Sequence, residues 1–159
     1  MRHRSRRSSS YASDAEKALV SEPIGITRGY ADMKREKKQF LLVEDFEDSR
    51  FMMRRLLEMA GYSVLEATDG EQAVRIAVEA RPALILMDLS LPKMDGLTAT
   101  RTIRQKRGLK RVPIVAVSAH DSDESRAEAL DAGCNEYVTK PIDFDRLNDL
   151  IQQFLATGA

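Results

Sequence analysis

One cysteine, two histidines and no tryptophan occur in 159 residues, and each scarcity removes a class of function. Cys134 has no partner for an internal disulfide, which fits a reducing cytoplasm. With only His3 and His120 beside it, a zinc centre lacks ligands. No apolar run approaches a membrane span, and the N-terminus has no apolar signal core. No glycine-rich loop of the Walker type is present, so a nucleotide has no obvious cradle. The remaining 43% apolar content suits one cytoplasmic globular domain with an extension.

A formal net charge of zero hides an asymmetry. Residues 1–38 hold ten Lys/Arg and five Asp/Glu, whereas residues 39–159 hold fifteen and twenty. The first block opens Arg2-His3-Arg4-Ser5-Arg6-Arg7-Ser8-Ser9-Ser10. It buries too little apolar surface to offset the entropy of ordering, so residues 1–38 read as a disordered, basic, Ser/Arg-rich extension. A solvated tail is the main reading, with a nucleic-acid or anionic-lipid contact as the alternative. Met33, just before Lys34-Arg35-Glu36-Lys37-Lys38, is a candidate native start.

From Gln39 onward continuous apolar runs alternate with helical spacing. Strands are expected over 39–43, 63–67, 83–87, 112–117 and 136–139. Helices are expected near 48–60, 70–80, 95–106, 122–132 and 143–156. Asp69 and Gln72 resemble a capping box, and the helix after them places Ala73, Ile76, Ala77 and Ala80 on one face. The last helix does the same with Leu147, Leu150, Ile151, Phe154 and Leu155. Gly61 and Gly133 stand where helices should stop. Such alternation implies right-handed βαβ units and a parallel sheet covered on both faces. Val/Ile/Leu runs in the first, third and fourth strands suit its centre; the more polar second strand suits an edge.

In open α/β sheets ligands bind beyond the carboxyl ends of the strands. Glu44 and Asp45 follow Leu41-Leu42-Val43, and Asp88 follows Ala83-Leu84-Ile85-Leu86-Met87. Ser118 follows Ile114-Val115-Ala116-Val117, and Lys140-Pro141 follows Tyr137-Val138-Thr139. Parallel strands would bring three carboxylates, a hydroxyl and a lysine to one edge. Two like charges about 4 Å apart repel by roughly 4 kcal/mol at an effective dielectric near 20. The trio therefore needs counter-charge, from Lys140 and from a divalent cation. All-oxygen ligation suits Mg²⁺ better than zinc or copper. A carboxylate in such a site is a potential nucleophile toward phosphorus, with positioning and charge neutralisation as the catalytic means. The competing reading is a set of separately solvated acids at loop starts.

The motifs LLVED, LILMDLSLPKMDG, VPIVAVSAH and AGCNEYVTKP, in this order and spacing, resemble the receiver domain of two-component response regulators. The resemblance runs from Gln39 to about Leu155, within a domain read as 39–157. It implies a doubly wound, flavodoxin-like (βα)5 fold with five parallel strands in the order 2-1-3-4-5. It implies that Asp88 accepts a phosphoryl group from a sensor histidine kinase or histidine phosphotransferase. Glu44, Asp45, Asp88 and the backbone carbonyl of Ser90 would hold Mg²⁺, and Lys140 would bind phosphoryl oxygens. Ser118 would swing toward that group, Tyr137 would turn inward with it, and Lys140-Pro141 would be a cis peptide. The family often has Asp where this chain has Glu44, whose extra methylene suggests a water-mediated metal contact. Ser90 and His120 stand where the lifetime of the phosphorylated state tends to be set.

Other residues carry less. Met52, Met53, Leu56 and Met59 read mainly as core packing on one helix, His120 as a loop residue, and Cys134 as a small, partly buried side chain. Tyr137 has the alternative of an ordinary strand aromatic. No output domain follows the last helix, so a stand-alone regulator acting through protein contacts of helix 4, strand 5 and helix 5 is expected. Such a protein catalyses only its own phosphorylation and dephosphorylation. A relay intermediate passing the group to a histidine phosphotransferase and a phosphorylation-independent binding module are the alternatives. A haloacid-dehalogenase-like phosphatase would want a second Asp where Ser90 stands, and a Toprim nuclease would want a paired Asp.

Overall fold

The computed structural model describes residues 36–158. The extension read over 1–38 falls almost wholly outside the described residues, as does the candidate start at Met33. Five strands are parallel: β1 Gln39–Val43, β2 Ser63–Ala67, β3 Leu84–Asp88, β4 Ile114–Ser118 and β5 Glu136–Thr139. Between and after them run α1 Glu47–Met59, α2 Gly70–Ala80, α3 Gly96–Gln105, α4 Asp123–Ala132 and α5 Phe144–Ala156. The strand order is β2-β1-β3-β4-β5, so the chain reverses direction across the sheet between β1 and β3.

The continuous apolar runs are explained by burial on both faces. Along β1, Leu41 and Val43 pack with Ala73 and Ala77 of α2 and Ala99 and Ile103 of α3. Their alternates Phe40 and Leu42 pack with Leu57 of α1 and Leu147 and Ile151 of α5. Three helices thus cover one face and two the other, as the period of two requires when each face meets a core. β2 is an edge strand, buried only at Ala67. Phe40 and Tyr62 stack with centroids 4.2 Å apart.

Two strands shift at both ends, to Leu84–Asp88 and Ile114–Ser118. β4 begins at Ile114 rather than residue 112, because Pro113 has no N–H for the ladder, although its carbonyl accepts from Ile85 N–H at 2.9 Å. β3 runs one residue further than expected and includes Asp88, which pairs with Val117. Three helix starts move by one because Asp95, Ser122 and Asp143 are caps, accepting from Thr98, Ser125 and Arg146 N–H. Asp69 likewise accepts from Gln72 N–H at 2.8 Å, but Gln72 Oε1 accepts from Thr68 N–H, one residue before the reciprocal position. α1, without a side-chain cap, starts at Glu47.

The expected core role of the α1 methionines is wrong for Met52 and Met59, which are 65% and 79% exposed. Leu57 is the residue this helix buries, with Met53 packed partly beside it. Apolar side chains occupy more than one stripe of α1, so periodicity alone could not choose the inner one.

Candidate functional site

β1 and β3 are adjacent and parallel, with Val43 opposite Met87, so the residues that follow them emerge side by side. Glu44, Asp45 and Asp88 each present a carboxylate oxygen, and these oxygens all lie within 4.8 Å of one another. Asp45 is exposed, while Glu44 and Asp88 are 6% and 4% exposed. Lys140 reaches in from the end of β5, its Nζ donating to Asp88 Oδ2 at 2.8 Å and Glu44 Oε2 at 3.1 Å. Its backbone N–H donates to Ser118 O at 2.8 Å, and the Lys140-Pro141 bond is cis.

Burial pushes the Glu44 carboxyl above its ordinary range, and the neighbouring Asp88 adds to this more than Lys140 offsets. Burial works against the Lys140 charge, yet its bonds to Asp88 and Glu44 outweigh that and hold the ammonium above its ordinary value. This is the signature of a site short of positive charge. Asp88 Oδ1 accepts from Ser90 N–H at 2.8 Å, which fixes the carboxylate plane without supplying a full charge. Glu44 folds back to accept from Phe46 N–H at 3.0 Å.

Ser118 is buried at the end of β4, its Oγ accepting from His120 N–H at 3.1 Å. Tyr137 is buried at 4% exposure, and its hydroxyl donates to His120 O at 2.6 Å. Ser90 and His120 are exposed at the rim. Burial pushes the Cys134 thiol up, and Thr100, whose Oγ1 lies 3.8 Å from its Sγ, only partly offsets this.

Two supports escaped the sequence reading. Arg50 Nη1 donates to Glu44 O at 3.1 Å and Asp45 O at 3.3 Å, while its Nε lies 3.3 Å from Glu66. Carbonyl partners leave no trace in a sequence. Gly96 opens α3 against the backbone of Asp88: a Cβ there would overlap Asp88 O and lie 2.8 Å from Leu89 Cα. Its signal was a glycine directly after a capping aspartate.

The acidic group fits a hard divalent cation, since all donors are oxygens and neither histidine nor cysteine is among them. No helix among the described residues is long and apolar enough to cross a membrane.

Residues 40–152 match the response regulator receiver domain family. The polar-differentiation response regulator DivK of Brucella anthropi is 34% identical over 118 residues, spanning 74% of this chain and 96% of that protein. The receiver domain of a Pseudomonas aeruginosa sensor histidine kinase, solved with magnesium coordinated in its active site cleft, superposes with a TM-score of 0.72 at 38% identity. It covers 76% of this chain and 99% of that one. The Vibrio cholerae chemotaxis protein CheY4 gives 0.71 at 28% identity, covering 75% and 99%. With strand order, motif positions and relatives in agreement, the chain belongs to the response regulator receiver domains, the phosphorylation-based signalling modules of two-component systems.

Proposed function

We propose that this chain takes a phosphoryl group from a phosphohistidine onto Asp88. The observation that carries the reading is Lys140 Nζ bridging Asp88 and Glu44 within a trio of strand-end carboxylates. An Asp88 oxygen attacks phosphorus as the donor's N–P bond breaks, and the imidazole leaves with the bonding pair. Lys140 follows the charge onto the phosphoryl oxygens, and Ser118 Oγ turns from His120 N–H toward them. Mg²⁺, held by Glu44, Asp45, Asp88 and the Ser90 carbonyl, would neutralise oxygen charge when bound.

The donor must bring its imidazole to the mouth of this site. There Met52, Met53, Ile142 and Phe144 line an apolar groove beside Lys140 of about 550 Å³, and Phe46 and Phe51 are 61% and 55% exposed. Such a patch suits a sensor kinase or histidine phosphotransferase. Output passes through α4, β5 and α5, the elements nearest Ser118 and Tyr137, whose partner affinity changes as phosphorylation shifts a two-state equilibrium. The protein catalyses only its own phosphorylation and dephosphorylation.

The deciding assay is labelling by acetyl phosphate. We expect one phosphoryl group per chain, Mg²⁺-dependent and abolished in Asp88→Asn. Turnover of many phosphoesters per chain would instead identify a phosphatase, and unchanged labelling in the variant would reject Asp88 as acceptor.

A further inference from the structure

Tyr137 is held from two sides. Inside, its hydroxyl bonds the His120 carbonyl. Outside, the guanidinium carbon of Arg126 lies 5.1 Å from the ring centroid, and its Nη1 is 3.5 Å from the Tyr137 carbonyl oxygen. Glu136 orients the clamp, because its Oε1 lies 3.8 Å from Arg126 Nη1 and accepts the Tyr137 N–H at 3.0 Å. α4 has little else to dock it: only Ala129 and Ala132 of this helix are buried, and Leu130 is 47% exposed. A cleft of about 510 Å³, lined by Arg126, Tyr137, Thr139, Arg146 and Leu150 among others, runs between α4, β5 and α5.

We infer that Arg126 is a positioning residue that holds Tyr137 in its buried orientation. A guanidinium over a phenol face draws on the ring quadrupole, and the same group ties the start of α4 to β5. At a half-exposed site this contact changes the ratio of buried to released ring by about two- to fivefold. The clamp therefore favours the buried ring, and a phosphoryl group that draws Ser118 toward Asp88 would act on a ring held by Arg126. That last step rests on the reading of Asp88 as acceptor; the clamp itself does not.

The test uses the full chain labelled with 3-fluorotyrosine, whose four tyrosines give few fluorine resonances; Tyr137→Phe assigns the relevant one. In Arg126→Met we expect the Tyr137 resonance to move toward a solvent-exposed shift, with the population ratio changed about two- to fivefold. Arg126→Lys, which keeps the charge and loses the planar stack, should fall between. Beryllium trifluoride with Mg²⁺ should return the Met variant toward the wild-type shift. An unmoved Tyr137 resonance in Arg126→Met overturns the inference, including when that variant melts at a lower temperature. A resonance that moves in the variant and ignores beryllium trifluoride upholds the clamp and rejects the phosphoryl coupling.

Discussion

Lys140→Met keeps the apolar stem and removes the charge. In metal-free protein the ammonium lies 2.8 Å and 3.1 Å from two buried carboxylates, each contact carrying about 5–6 kcal/mol of Coulomb energy at an effective dielectric near 20. The loss cannot reach that scale, because a carboxylate can take a proton instead. Starting from a carboxyl pKa of roughly 4.3, holding that proton costs about 3.7 kcal/mol at pH 7 and about 1 kcal/mol at pH 5. Glu44, already displaced upward, is the group expected to take it. The variant should therefore lose about 2–4 kcal/mol at pH 7 and about 1 kcal/mol or less at pH 5. The sign follows from linkage. A carboxyl raised in the native state binds more protons folded than unfolded, so its penalty fades as pH falls toward the unfolded value. Urea unfolding of both proteins with chelator at the two pH values measures the difference. An equal deficit at both, or one that grows on acidification, would refute the charge argument. Asp88→Asn is the counterpart: it leaves the Lys140–Glu44 bond intact, removes a buried like charge, and should gain about 1 kcal/mol in the same assay.

Gly96→Ala pushes a methyl into the backbone of Asp88; we expect a cost of about 1–3 kcal/mol and slower acetyl phosphate labelling, and wild-type values for both would show that the α3 start yields freely. Asp95 caps α3, and the Thr98 N–H holds its carboxyl below the ordinary range. Asp95→Ala should cost about 0.5–2 kcal/mol at neutral pH. Because the cap's depressed pKa makes its contribution vanish as pH falls through the folded value, unfolding at stepped pH should show the deficit shrinking; a constant deficit would exclude the ionised cap.

The strands were legible because two cores force continuous apolar runs, and β1, β2 and β5 lie at their expected residues. Asp88 reads in sequence as the residue just after the third strand, yet it is the last residue of β3 and pairs with Val117, since polarity marks burial and not hydrogen bonding. The grouping of Glu44, Asp45, Asp88 and Lys140 followed from parallel strands alone. Contacts that depend on rotamers and carbonyls did not. Arg104 shows the limit: without a carboxylate partner among the described residues, it donates to Gly133 O, Leu109 O, Val112 O and Asn135 Oδ1. A half-buried cation held by backbone looks, in sequence, like any solvated arginine. The Arg126–Tyr137 contact spans eleven residues and two elements, with no periodicity to announce it.

Lys140 lies 96 residues beyond Glu44 and 52 beyond Asp88. During synthesis the acids are made long before Lys140, the side chain that neutralises two of them, and they meet it only when the fifth strand docks. A nascent or truncated chain lacking that strand would hold its carboxylates apart by mutual repulsion. The balance of charge at this sheet edge is therefore a property of the finished domain.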